Sequence, residues 1–64
     1  AEFFAKRMQG EDYWLAHAAL QAMSRTPCAE LTDTYEWMWK RYEGDRMMRS
    51  NLQIAFEANG IEKK

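Results

Sequence analysis

The chain has one cysteine, one histidine, one proline and no valine among its 64 residues. Each scarcity removes a class of protein. A lone cysteine forbids an internal disulfide. One cysteine with one histidine also falls short of the four ligands of a structural zinc site, so neither a metal nor a cofactor is expected. The longest unbroken apolar run is Tyr13-Trp14-Leu15-Ala16. A membrane-crossing helix needs about 20 such residues, and no signal peptide fits either. A cytoplasmic location without membrane contact is the expectation. No excess of one charge exists: nine Lys and Arg stand against ten Asp and Glu, net −1. Strong nucleic-acid binders usually show a basic excess. The three glycines, Gly10, Gly44 and Gly60, are isolated, which leaves no phosphate-cradling loop.

The apolar content is of a particular kind. Leucine and isoleucine together supply six residues, methionine and aromatics fourteen, alanine nine. Such a mixture, rich also in Glu and Arg, favours helix over sheet. A chain this short buries only about 60% of its unfolded surface, so good packing or association must supply the rest.

The spacing predicts an all-α single domain built as a helical hairpin. Arm one runs over about 2–24, a turn follows at 25–27, arm two covers about 28–58, and 59–64 form a tail. In arm one, Phe4, Met8, Glu11, Leu15, Ala18 and Ala22 follow a 4-3-4-3-4 spacing that lines one helical face. Gly10 interrupts it, and Asp12 can cap a restart. From Tyr13 to Met23 the helix is apolar nearly all round, which suits a central helix covered on more than one side. Thr26-Pro27 reads as a helix start, with a second at Asp33 and Glu36. Gly44 marks the matching weak point of arm two, with Asp45 near a new start. Were the helix continuous there, Gly44→Ala would be tolerated or mildly stabilising. Asn59-Gly60 ends the arm, Ile61 offers a contact beyond it, and Glu62 to Lys64 are expected to fray.

Two hairpins pairing into a dimeric helical bundle would complete the core; a monomeric three-helix bundle is the alternative. On arm two, Leu31, Tyr35, Met38 and Tyr42 share one face at 100° per residue, continued with some drift by Met48, Leu52, Ala55 and Phe56. Trp37 and Trp39 flank that stripe on opposite sides, and Met47 and Ile54 point away from it. Large apolar side chains thus cover more of arm two than one partner helix can hide. Trp37, Trp39, Met47, Met48 and Ile54 are therefore the candidate contact residues, with Arg41 and Arg46 orienting a partner. This points to a small protein–protein interaction module, an adaptor, inhibitor or regulator in the size class of small phage and plasmid regulators, pairing as a homodimer. The alternative is nucleic-acid contact through Lys40, Arg41, Arg46 and Arg49, beside Trp37, Trp39 and Tyr42. No enzyme is expected. His17 and Cys28 are placed on the order of 10 Å apart in a hairpin, and the carboxylate pairs sit at helix starts or salt-bridge spacings.

Overall fold

Both predicted glycine interruptions are breaks between separate helices in the structure, a computed structural model that describes residues 2–62. Four α-helices result: α1 (Glu2–Met8), α2 (Tyr13–Met23), α3 (Thr32–Arg41) and α4 (Arg46–Ala58). A single 3₁₀ turn, Ala29–Leu31, precedes α3. No strand occurs among the described residues. The two-arm hairpin and its three-helix alternative thus give way to four helices. Lys63 and Lys64, where fraying was expected, lie outside the described residues.

The breaks have local causes. The Gly10 amide bonds the Arg7 carbonyl at 3.3 Å, tightening the end of α1. Asp12 then turns extended (φ −80°, ψ 104°), and its carboxylate accepts the Leu15 amide at 3.0 Å. Asp45 repeats the device before α4, with φ −94°, ψ 101° and Oδ1 accepting the Met48 amide at 2.9 Å. Each carboxylate satisfies an amide that a helix start leaves without a partner, at the positive end of the helix dipole. Gly44 takes φ 92°, a left-handed conformation that costs an L side chain about 1–2 kcal/mol. A harmless Gly44→Ala was expected only of a continuous helix; the helix is broken here, and the angle makes the substitution a strained one.

The C-terminal end of α4 follows the predicted stop. Gly60 has φ 73°, its amide bonds the Glu57 carbonyl at 3.1 Å, and the Ile61 amide bonds Phe56 at 2.8 Å. This bond pair closes the helix as a Schellman motif, and Ile61 packs against the core as its hydrophobic contact. The predicted starts between 26 and 34 differ. Thr26 and Pro27 lie in the connection, and α3 begins at Thr32 behind the 3₁₀ turn. Asp33 falls within the first turn of α3 instead of capping it. A tertiary bond anchors this connection: Asn59 Oδ1 accepts the Cys28 amide at 2.7 Å, tying it to the end of α4.

The helices close a ring of contacts: α1 packs on α2 and α3, and α4 packs on the same two. Inside it lie Met8, Ala16, Leu20, Leu31, Tyr35, Met38, Met48, Leu52, Ala55 and Phe56, all fully buried, with Ala19. The whole stripe foreseen on arm two is in this core or, for Tyr42, packed against it. The surface, 4324 Å², matches the roughly 4,300 Å² of an ordinary monomer of this mass. Among the described residues no helix is long and apolar enough to cross a membrane.

Arm one behaves differently. Its 4-3-4 series does not continue through the break. Met8 is in the core, but α2 buries Ala16, Ala19 and Leu20 and turns Leu15, Ala18 and Ala22 outward. The non-helical residues between α1 and α2 reset the helical phase, so the two halves of the series face different ways. The covered central helix predicted for Tyr13 to Met23 is a helix with one side open.

Candidate contact surfaces

The contact surface expected on arm two is dispersed by the break at residues 42–45. Met48 is fully buried and serves the core, so it offers nothing to a partner in this fold. Ile54 is half-buried. Trp39 is half-buried too, edge-on to Phe56 with ring centroids 5.7 Å apart. The Arg49 guanidinium lies 3.7 Å from its ring centroid and donates to the Trp39 carbonyl. The cause is the end of α3. The last carbonyls of a helix lack partners within it, and α4 folds back to supply one. Arg49, read as a nucleic-acid candidate, is thereby committed to its own chain. Lys40, Arg41 and Arg46 are exposed. Arg41 stacks on Trp37 (5.4 Å) and Tyr42 (5.8 Å), one helical turn and one residue away. Of the expected contact residues, Trp37 at 39% exposure and Met47 at 42% are the large apolar ones that stay at the surface.

The largest apolar exposure lies elsewhere, on α1 and α2. Trp14 is 66% exposed, Phe3 62% and Leu15 46%. At 100° per residue, Trp14, Leu15, Gln21 and Ala22 all lie within about 60° of Ala18 around α2, and all five are exposed. Phe3, Phe4 and Arg7 of α1 meet Leu15, Ala18, Ala19 and Ala22 across an apolar groove of 360 Å³. Arg7 edges this groove with its guanidinium 5.1 Å from the Phe3 ring centroid. The phase reset at Gly10 hides this face from a periodicity argument. Its signal in the sequence is charge: Tyr13 to Met23 holds no Asp, Glu, Lys or Arg, in a chain 30% charged.

Between the two regions runs a polar seam. The Tyr13 hydroxyl donates to Asp45 Oδ2 at 2.7 Å, while Oδ1 of the same carboxylate caps α4. The Tyr13 ring also meets Tyr42 edge-on at 5.8 Å. Further along, His17 Nε2 lies 3.2 Å from Asn51 Nδ2, which donates to the Met47 carbonyl as well. The Met48 amide, then the Tyr13 hydroxyl, hold the Asp45 carboxyl below the usual aspartate range. The same hydrogen bond to Asp45, with some burial, pushes the Tyr13 phenol up. Burial raises Tyr35, whose hydroxyl sits in the core without a hydrogen-bond partner. Tyr13 with Asp45, and His17 with Asn51, fix α2 against α4, and none of the four lines the groove.

The one nucleophile pair read from the sequence, His17 and Cys28, is held at two separate places. His17 is held beside Asn51 of α4 and Cys28 beside Asn59 at the C-terminal cap of that helix, eight residues further along, or about 12 Å. No cluster of three His, Cys, Asp or Glu side chains suited to a metal exists among the described residues. Comparison with family models, curated proteins and solved structures finds no match for this chain.

Proposed function

We propose that this chain is a small helical protein–protein interaction module, acting as an adaptor, inhibitor or regulator, and that its principal contact face is the outer side of α1 and α2. The dimeric bundle foreseen from the sequence belongs to the same proposal, with the pairing face moved from arm two to arm one. One observation carries it: Phe3, Trp14 and Leu15 are the three most exposed large apolar residues, on neighbouring helices. Fully exposed aromatic residues offer about 150–250 Å² each, so Phe3 and Trp14 alone leave on the order of 250 Å² uncovered. With Leu15 and the alanines the patch reaches the roughly 300–600 Å² typical of the largest, often functional, patch on a small protein. Trp37 with Arg41, and Met47 near Arg46, are smaller, separate exposed spots outside this face.

The test immobilises the chain and offers it native lysate and, separately, free chain. Native protein and Trp37→Lys should retain the same polypeptides, and Leu15→Lys should lose them. Equal retention by all three, or none by the native chain from either source, contradicts the proposal.

A further inference from the structure

Resting on that reading, we infer that the occupant of the α1–α2 face is a second copy of this chain, docked with the two α2 helices antiparallel about a two-fold axis at Ala18. The inference begins from charge. A two-fold axis sets a surface against itself, so residues near the axis meet their own copies. Any ionised side chain there would face its like. The outer side of α2 has none for eleven residues, the condition that self-pairing imposes and a different partner does not.

The flanking residues then supply complementarity. Antiparallel pairing about residue 18 sets each residue i opposite 36 − i. Glu11 of one copy thus comes to the same end of the pair as Arg25 of the other, and the axis repeats the pair at the far end. Both residues are exposed, just outside the two ends of α2. Trp14 falls opposite Ala22, a large side chain against a small one. Ala22 also lines the groove, and Leu15 lies on the same side of Ala18, so the axis brings each copy's Leu15 to the mouth of the other's groove. Ala18 at the axis lets the helices approach to the lower end of the usual 8–10 Å. Parallel pairing would instead set Glu11 against Glu11 and align the helix dipoles.

Size sets the strength. A standard interface covers about 800 Å² per partner, close to a fifth of this chain's 4324 Å² surface. The α2 face is smaller, which places the dimer among weak, transient associations.

Sedimentation equilibrium between 10 µM and 1 mM tests this. The native mass should climb from 7.6 kDa toward twice that value. Ala18→Lys, which sets two ammonium groups at the axis, should stay monomeric at 1 mM with unchanged helical circular dichroism. Glu11→Arg and Arg25→Glu should each weaken pairing about fivefold or more, and the double charge swap should restore it. A native chain monomeric at 1 mM overturns the inference, as does a double swap no tighter than either single variant. If the chain is monomeric yet lysate proteins are still lost by Leu15→Lys, the second copy falls and the interaction face stands. If no lysate protein is retained either, both fall.

Discussion

Residues 35–56 hold two of the three tryptophans and three of the five methionines, yet most of their apolar bulk is inside. Helix α2 is built mainly of alanine, leucine and one tryptophan, yet its apolar side is open. The difference lies in what folds back. The corner at Tyr42–Asp45 lays α4 against α3, so Met48 and Phe56 enter the core and Trp39 is covered by Arg49 and Phe56. Helix α2 packs inward on α1 and α4 through Ala16, Ala19 and Leu20, and none of the described residues returns over Ala18. Apolar content alone therefore says little about which surface is available. The position of the breaks decides it.

The comparison can be broken most severely with two phenylalanines. Phe56→Ala empties a fully buried ring site that Tyr35 and Trp39 both meet edge-on. It should cost about 3–5 kcal/mol, most of the stability of a domain this small, and leave the chain largely unfolded at 25 °C. Phe3→Ala should change stability by less than ~0.5 kcal/mol. Paired thermal melts by circular dichroism check this; similar losses from both would erase the distinction between inside and outside.

The two breaks differ next. Gly44→Ala should cost about 1–2 kcal/mol, or roughly 4–15 °C in Tm, because φ 92° is strained for alanine even with open space around it. Gly10 has no positive φ, and a methyl there would meet the Arg7 carbonyl at an ordinary 3.4 Å. Gly10→Ala should therefore fall within about 0.5 kcal/mol of the native chain. A neutral Gly44→Ala would mean that the corner does not need its left-handed residue.

A smaller effect sharpens how the regions are joined. Asp45→Ala removes the cap of α4 and the acceptor of Tyr13 together, and should cost about 1 kcal/mol. The pH dependence has a definite sign. The folded Asp45 carboxyl sits below its unfolded value, so its stabilisation is present above the ordinary aspartate range and is lost as pH falls through the folded value. The Tyr13 phenol is raised in the folded chain, so its contribution is present below the ordinary tyrosine value and is lost as pH rises through the folded one. Asp45→Asn should flatten both limbs in urea titrations between pH 2 and 11. Unchanged limbs would detach the seam from stability.

Much of the fold was legible. Asp12 and Asp45 each precede a helix by the spacing a capping carboxylate needs, and both cap. Gly60 with Ile61 announces the end of α4. Leu31, Tyr35, Met38, Met48, Leu52, Ala55 and Phe56 read as one stripe and are one core, because each helix keeps its own phase between breaks. The candidate site was less legible. Periodicity carried through Gly10 assigns Leu15, Ala18 and Ala22 to the face of Met8, and only the reset at 9–12 turns them outward. Nor can spacing along the chain show that Arg49 will cover Trp39, since that contact exists only once α4 has folded back on α3.

The most direct test of the central claim follows backbone amide resonances of the ¹⁵N-labelled chain from 20 µM to 1 mM. Shifts and broadening should gather on Phe3, Arg7, Glu11 and the outer side of α2 from Trp14 to Ala22, with Trp37, Arg41 and Met47 unmoved. Changes centred on Trp37 and Met47 instead, or none at 1 mM, would contradict it.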